Sequence, residues 1–197
     1  MRIDRLVIEN FKKFKHLEVP LHPQFNVLVG NNATGKTSVL DAAAIALGVW
    51  LVEPPDSLLA NSRRSIKREE VHLEGRTEGD RVVFREWLPS RIEGAGLVHG
   101  HDSKSWVRQI KAGQKRTTNG EAEDVLTLIS ELYERDRGGE RIVFPLLGYY
   151  GAGRAWLPSN EPRQESETPR RRWSAYYDCF SERIRLPDLH AWFRDEA

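Results

Sequence analysis

The stretch of sequence that decides the fold is Gly30-Asn-Asn-Ala-Thr-Gly35-Lys36-Thr37-Ser38. It fits the pattern G-x-x-x-x-G-K-[ST] at every fixed position. The residues before it, Phe25-Asn-Val-Leu-Val29, form a short apolar run that predicts a buried strand. The residues after it, 38–47, are rich in alanine and leucine and predict a helix. Strand, glycine loop and helix in this order are the context of a phosphate-binding loop.

The residue types in this loop suit phosphate chemistry. Glycines allow a tight turn that brings backbone N–H groups close to phosphate oxygens, and the start of the following helix adds N–H donors and a positive dipole end. Lys36 can reach β- and γ-phosphates, and the Thr37 hydroxyl can hold Mg²⁺. A nucleoside triphosphate and Mg²⁺ are therefore the predicted ligands, and the family resemblance described below implies that the nucleotide is ATP. The candidate binding residues are Gly30, Asn31, Asn32, Ala33, Thr34, Gly35, Lys36, Thr37 and Ser38. The plainer alternative is a glycine turn that only caps a helix.

Composition bounds the class of protein. The chain has 197 residues, of which 30% are charged and 39% hydrophobic, as expected for a soluble domain with one sizeable core. A net charge of +1 does not by itself indicate a nucleic-acid or membrane partner. The single cysteine, Cys179, excludes an internal disulfide and favours a reducing compartment. The charged N-terminus is unlike a signal peptide, and no apolar run reaches about 18 residues, so the predicted location is cytoplasmic, with no membrane contact.

Two strands are predicted ahead of the apolar run that leads into the loop. Residues 2–10 alternate between apolar and polar types, as in a half-buried strand. His16–Leu21 predicts a second strand, and Pro20 and Pro23 indicate that it lies at the edge of a sheet or ends there.

An antiparallel β arm is predicted over residues 66–112. Glu69–Gly75 and Arg81–Leu88 read as two strands joined by a turn at 77–80, and Lys104–Lys111 alternates as a third. We interpret this arm as an addition to the core that carries the loop.

The second half of the chain predicts one helix and one further strand. A helix with a single apolar face runs from Asn119 to about Arg137 and ends at Gly138-Gly139. Arg141–Tyr150 then predicts a buried strand, although Pro145 lies inside it. The predicted division is a lobe at 1–157 containing the arm, a flexible loop at 158–172 and the start of a helical region at 173–197. The helical pattern at the last residues has no cap signal, so a fragment is expected.

Several short motifs together carry a family resemblance. They are Ile8–Lys12, Val27–Gly30, Asn32, Gly35–Thr37 and Val39–Ala42. These resemble the N-terminal lobe of SMC-like, ABC-type AAA family ATPases, the group that includes RecF-like and OLD-like proteins. Gly148–Arg154, followed by Ala175–Asp178 and His190–Phe193, is similar to a bacterial family of ATP-binding proteins, some linked to virulence or anti-phage defence.

The resemblance implies a fold, a cofactor site and partners. It implies an α/β fold with a P-loop NTPase core, an antiparallel β arm and C-terminal helices. ATP would lie between two heads of a homodimer, and the heads would act on DNA or on a partner effector protein. Lys12 and Lys13 match the position where relatives place a basic residue near the nucleotide, and Asn32 matches the asparagine of their loop.

The sequence departs from the family pattern in four places. Ala33 stands where relatives usually have glycine, and Tyr149–Arg154, where the lobe-joining Q-loop is expected, has no glutamine. The chain contains no signature motif and no apolar strand ending in Asp-Glu, as a Walker B strand does. Asp195-Glu196 follows Trp-Phe-Arg in a helical context, so we reject it as Walker B. No catalytic residue is assigned, and hydrolysis is expected to need a C-terminal lobe.

Other polar clusters have a functional and a structural reading. His99, His101 and Asp102 could ligate a metal, but without a distant fourth ligand a solvated loop is favoured. A basic cluster could contact nucleic-acid phosphates, with Lys104 and Arg108 on one strand face, or could protect a solvated edge strand. The members of this cluster are Lys104, Arg108, Lys111, Lys115 and Arg116.

Three further features favour structural readings. Arg170–Arg172 resembles a charged loop more than a nucleic-acid contact. Arg154 could stabilise charge on a nucleotide, but a structural salt bridge is favoured. Cys179 fits a core position better than a nucleophile, since no His–Asp constellation surrounds it in the sequence.

Two hypotheses of different class follow. The first is an ATP-binding head domain that holds Mg-ATP at residues 30–38 and needs a C-terminal lobe and head dimerisation to hydrolyse it. The alternative is a non-catalytic protein or nucleic-acid interaction module with a vestigial nucleotide site. A small-molecule kinase is disfavoured, because no acceptor-site aspartate or arginine-rich lid is evident.

Overall fold

The computed structural model describes residues 1–54, 57–151 and 176–181. The predicted loop at 158–172, most of the helical region at 173–197 and the rejected Asp195-Glu196 pair lie outside these residues. The helices are α1 (Lys36–Leu47) and α2 (Glu123–Arg137). The strands are β1 (Arg2–Phe11), β2 (Phe14–Pro20), β3 (Leu73–Glu78), β4 (Arg81–Glu86), β5 (Ser90–Val98) and β6 (His101–Ile110). The predicted mixed α/β architecture is confirmed.

The main sheet is antiparallel and has the strand order β2-β1-β5-β6. In β1, Leu6 and Ile8 are fully buried, and the register pairs Ile8 with Leu17 of β2 and with Ile92 of β5. β2 lies at the edge and ends at Pro20, as its prolines predict. Both predicted N-terminal strands are therefore present, and β1 is an interior strand.

Strand β5 has no counterpart in the sequence prediction. Its residues alternate between buried and half-buried, yet Gly94, Ala95 and Gly96 gave it too little apolar character to be recognised. The small residues are required by a neighbour: a Cβ at Gly94 would lie 2.7 Å from Cζ2 of Trp106 on β6. The indole occupies the space that a side chain would take.

The predicted arm at 66–112 is corrected by the topology. Only β3 and β4 form a separate two-stranded sheet, with the turn at Gly79-Asp80 close to the predicted one. The predicted third strand, observed as β6, pairs with β5 and belongs to the main sheet. β6 does not join the β3–β4 hairpin, because it pairs with β5, which in turn pairs with β1. Alternation within a single segment predicts a strand but not the strand with which it pairs.

The two helices and the main sheet share one hydrophobic core. α1 packs on β1, β5 and β6, and α2 packs on β6. α2 buries one face, as predicted, and ends at Gly138, after which Gly139 adopts a left-handed φ of 91°. Of the helices that the structure describes, none is at once long and apolar enough to cross a membrane.

Two predicted strands are not formed. Phe25–Val29 carries no strand, and Phe25, Val27 and Val29 are 77%, 66% and 90% exposed. Arg141–Tyr150 likewise has no strand, although Ile142 and Leu147 are buried. A strand requires a hydrogen-bonded neighbour, and among the described residues both sheets are made by other segments. Apolar composition therefore predicted strands that these two segments do not form here.

Candidate functional site: the phosphate loop

The loop turns into α1 at Gly35. This glycine is the N-cap residue, its φ of 102° is left-handed, and no side chain caps the helix. A Cβ at this position would lie 2.5 Å from Cζ of Phe14, so both the conformation and the close approach require glycine. The first helical hydrogen bond joins the Val39 N–H to the Gly35 carbonyl at 3.0 Å. The N–H groups of the first turn therefore point towards the loop, as an anion site needs.

Ala33 also has a left-handed backbone, with a φ of 62°. Glycine would adopt this geometry more easily, since a left-handed backbone strains residues that have a Cβ. The remainder of the turn is stabilised locally: the Thr34 hydroxyl donates to the Asn31 carbonyl at 2.8 Å.

Lys36 and Thr37 stand at the start of α1, as the motif predicts. Lys36 Nζ donates to the carbonyl oxygens of Gly30 and Asn31, each at 2.7 Å, so its ammonium lies against the loop. Thr37 is exposed in the first turn. The structure thus brings Lys36 against the carbonyl oxygens of the loop and places Thr37 beside it at the start of α1.

Lys12 and Lys13 diverge although they are neighbours. Lys13 Nζ donates to the Ala33 carbonyl at 2.9 Å and so lies on the loop. Lys12 has a left-handed φ of 49°, and its ammonium bonds to Asp41 and lies 3.3 Å from Glu70. Lys13 is therefore the one placed on the loop, and a role for Lys12 at the nucleotide stays a prediction.

A charged cluster lies beside the loop. Its members, which we call the Asp41 cluster, are Lys12, Asp41, Arg64, Glu70 and Tyr149. Two carboxylates face two cations, so the four charges balance. Asp41 is only 3% exposed and Glu70 is also buried. Buried charges are tolerated only with such pairing and full hydrogen bonding.

The pKa values in the Asp41 cluster reflect this pairing. Burial acts to raise the pKa of Glu70, but hydrogen bonds from Arg64 and the Lys67 N–H, with the charges of Arg64 and Lys12, outweigh it and lower that pKa. Burial acts to lower the pKa of Arg64, but the hydrogen bond and charge of Glu70 outweigh it and raise that pKa. Both groups are therefore held in their charged forms.

Tyr149 links the predicted Q-loop region to α1. Its hydroxyl donates to Asp41 Oδ1 at 2.9 Å, and its N–H donates to the Cys179 carbonyl at 2.8 Å. The sequence predicted the Q-loop region at this position but did not predict that Asp41, Arg64 and Glu70 lie around Tyr149. One signal was available: Asp41 is the only charged residue between Thr37 and Leu47 of an otherwise apolar helix.

Burial corrects the prediction for one member of the basic cluster, Arg108 on β6. Arg108 is fully buried and donates to the carbonyl oxygens of Ile45 and Arg64, each at 2.6 Å, so it cannot contact nucleic acid. Burial, then the charges of Arg63 and Arg64, lower the pKa of Arg108 to about 9, so it remains protonated at neutral pH. Its charge lies at the C-terminal end of α1, where a helix dipole favours a cation. Lys111, Lys115 and Arg116 are exposed.

The remaining candidates are one turn, one thiol and two stretches outside the described residues. His99 and Gly100 form the turn between β5 and β6, both with positive φ, and no group of three metal-binding side chains occurs among the described residues. Burial raises the pKa of the Cys179 thiol to about 11, which suits an unreactive thiol. Arg154 and Arg170–Arg172 lie outside the described residues.

The family match is consistent with the phosphate-binding motif of the loop. Residues 5–189 match the AAA domain family AAA_23, and the chain belongs to that family. The match spans nearly the whole chain, so it covers the loop, both helices and all six strands. The resemblance to SMC-like, ABC-type ATPases that the motifs indicated is confirmed.

Individual relatives are known by their roles in DNA metabolism. The chain is 29% identical over 122 residues to the DNA double-strand break repair Rad50 ATPase of Thermococcus kodakarensis, covering 58% of this chain and 13% of that protein. It is 43% identical over 129 residues to the DNA replication and repair protein RecF of Lactobacillus acidophilus, covering 64% of this chain and 31% of that protein. The chain thus spans under a third of the length of either relative.

A solved structure gives a weaker likeness. It is described by the words "Structural biochemistry of ATP-driven dimerization and DNA stimulated activation of SMC ATPases". It shows 15% identity and a TM-score of 0.42, and the match covers 66% of this chain and 78% of the other. These values are too low to define the fold.

Proposed function

We propose that this chain is the ATP-binding head region of an SMC-like P-loop ATPase and that it holds Mg-ATP at residues 30–38. The observation that carries the proposal is the turn at Gly35. There a left-handed glycine, a helix start without a side-chain cap and the Lys36 ammonium meet at one loop. The AAA domain match and the Rad50 and RecF relatives support it.

The residues present fit a nucleoside triphosphate with Mg²⁺. The backbone N–H groups of the first turn of α1 bind phosphate oxygens, and Lys36 neutralises their charge. Lys13 adds a second ammonium beside the loop, and the Thr37 hydroxyl supplies an oxygen ligand suited to Mg²⁺. The bound triphosphate supplies the γ-phosphoryl group whose transfer to water is the reaction of this class.

Hydrolysis is proposed to need a C-terminal lobe and the pairing of two heads. The sequence has no apolar strand ending in Asp-Glu, so it offers no Walker B carboxylate. The segments 25–29 and 141–150 expose apolar side chains, including Val29 and Leu146, as strands do when their neighbours come from elsewhere. A C-terminal lobe would cover these side chains and bring the acidic residue to the loop.

We further propose that the intact head acts in a DNA-related process. The names of the Rad50 and RecF relatives support this, whereas anti-phage defence and a partner effector rest on the sequence resemblance alone. Because Arg108 is buried, the β6 face is a poor candidate for DNA contact.

The proposal is tested by titrating the chain with Mg-ATP. A charge-assisted hydrogen bond contributes about 1.5–3 kcal/mol, so Lys36→Ala is expected to weaken binding by about tenfold or more. Lys15→Ala is the matched control, since this exposed lysine bonds to Glu74 at 2.6 Å on the β3–β4 hairpin, and its loss should leave the affinity unchanged.

Two results would contradict the proposal in different ways. If Lys36→Ala binds Mg-ATP as tightly as the wild type, the assignment of residues 30–38 as the nucleotide site is wrong. That result would favour the non-catalytic interaction module. Sustained ATP turnover by this chain alone would retain the site but remove the requirement for a C-terminal lobe.

A further inference from the structure

The Asp41 cluster brings five residues from four separate segments together. Lys12 comes from the β1–β2 turn, Asp41 from α1, and Arg64 and Glu70 from the connection between α1 and β3. Tyr149 comes from the segment that follows α2. Among these segments, α1 is the one that directly follows the phosphate loop. The other segments therefore influence the loop through their contacts with Asp41.

Asp41 is well placed to set the orientation of the first turn of α1. It stands four residues after Thr37, and therefore on the same helix face, one turn further along. Lys12 bonds to its Oδ2, Tyr149 bonds to its Oδ1 at 2.9 Å, and Arg64 Nη2 lies 3.7 Å from Oδ1. These three partners come from three different segments of the chain, so together they restrain the rotation of α1 about its axis. The rotation of α1 sets the directions in which the N–H groups of its first turn and the Thr37 hydroxyl point.

We propose that Asp41 is a positioning residue for the phosphate loop and that Tyr149 transmits the placement of segment 141–151 to it. The inference rests on the proposed function, since it assigns the positioning of the same nucleotide site. Asp41 is buried and contacts the nucleotide only through α1 and its partners.

The geometry of Tyr149 makes it the transmitting residue. It is held at both ends, through its N–H by the Cys179 carbonyl and through its hydroxyl by Asp41. Glycines at 148 and 151 flank the Tyr-Tyr pair, so the backbone on either side of it is adaptable. A displacement of segment 141–151 therefore removes a donor from Asp41 Oδ1. Arg64, now 3.7 Å from that oxygen, would then be the nearest replacement.

The experiment measures the Mg-ATP dissociation constant of the full 197-residue chain and its variants. Tyr149→Phe removes the hydroxyl but keeps the ring, and is expected to weaken binding about fivefold, which lies within the range for a change in a residue network coupled to a binding site. Asp41→Asn is expected to weaken it about tenfold or more. The double variant should be no weaker than Asp41→Asn alone, since residues that act through one another are not additive.

Tyr133→Phe is the matched control for the loss of a buried tyrosine hydrogen bond. The Tyr133 hydroxyl donates to the Trp50 carbonyl at 3.2 Å, outside the Asp41 cluster. This variant should lower the unfolding temperature about as much as Tyr149→Phe but leave the Mg-ATP dissociation constant unchanged. If Asp41→Asn does not fold, the two tyrosine variants alone decide the question.

Three results would overturn the inference. An unchanged dissociation constant in Tyr149→Phe, an equal loss of affinity in Tyr133→Phe, or additive losses in the double variant would each do so. Failure of the wild-type chain to bind Mg-ATP would overturn the proposed function, and the inference with it. Normal wild-type binding with an unaffected Tyr149→Phe overturns the inference alone.

Discussion

The two flanks of the phosphate loop differ sharply. On one side, α1 is packed into the core, and Ile45 is fully buried. On the other side, Phe25–Val29 is equally apolar in sequence but exposes Val29 to 90%. The loop thus connects residues 25–29, which stay exposed, to α1, which is packed into the core within the described residues. Local sequence determines the turn and the helix, whereas a strand depends on neighbours supplied by other segments.

The difference has a functional meaning. The donors proposed for phosphate binding, namely the N–H groups of the first turn, Lys36 and Lys13, belong to the packed side or contact the loop directly. On the exposed side, residues 25–29 have no partner strand among the described residues. The proposed need for a C-terminal lobe predicts that this chain binds nucleotide without efficient turnover.

The largest expected effect comes from deleting a side chain on the packed flank. Ile45→Ala should lower the free energy of unfolding by about 3 kcal/mol, because it removes buried methyl groups and leaves a cavity. Val29→Ala, on the exposed flank, should change it by less than about 0.5 kcal/mol. Chemical denaturation of both variants measures the contrast, and similar losses would show that residues 25–29 are packed after all.

An intermediate effect is expected at Glu70, where the Asp41 cluster meets the connection to β3. Glu70→Gln should cost about 2 kcal/mol at neutral pH, because it leaves the buried Arg64 with a weaker partner.

The pH dependence of this effect has a definite sign. The pKa of Glu70 is lowered in the folded state from 4.5, so its contribution is fully present above about pH 4.5 and is lost as the pH falls through the lowered value. The difference in unfolding free energy between wild type and Glu70→Gln should therefore shrink on acidification below pH 4.5. If this difference in unfolding free energy stays constant down to the pH of acid unfolding, Glu70 is not ionised in the folded protein.

The smallest expected effect concerns the loop itself. Ala33→Gly should stabilise the protein by at most about 1 kcal/mol, because glycine relieves the left-handed strain but gains freedom in the unfolded chain. Thermal unfolding measures the change. A clear loss of stability would indicate that the methyl group of Ala33 makes contacts that outweigh the strain.

The sequence was informative where structure is local. The loop, α1, α2 and the β3–β4 hairpin follow from turn residues and periodicity within single segments. Strand β5 was missed because its Gly94 is explained only by Trp106 on the neighbouring strand. Arg108 was misread because alternation identifies a strand face but not whether that face is buried under a helix.

The site could be predicted to the same extent. Its backbone motif and Lys36 follow from the pattern, and Lys13 follows from the family resemblance. The Asp41 cluster could not be predicted, because Asp41, Arg64 and Tyr149 are distant in sequence and meet only through tertiary packing. Even so, a lone aspartate in an apolar helix indicates a buried partner, since an unpaired buried carboxylate would be prohibitively costly.

Amide hydrogen exchange across the loop, measured with and without Mg-ATP, is the sharpest test of the proposed nucleotide site. Mg-ATP is expected to slow exchange at residues 30–38 in the wild type and much less in Lys36→Ala. Without nucleotide, residues 25–29 are expected to exchange faster than residues 39–47 of α1, because only the helix is hydrogen-bonded and packed. Unchanged exchange at residues 30–38 on addition of saturating Mg-ATP would contradict the assignment of this loop as the nucleotide site.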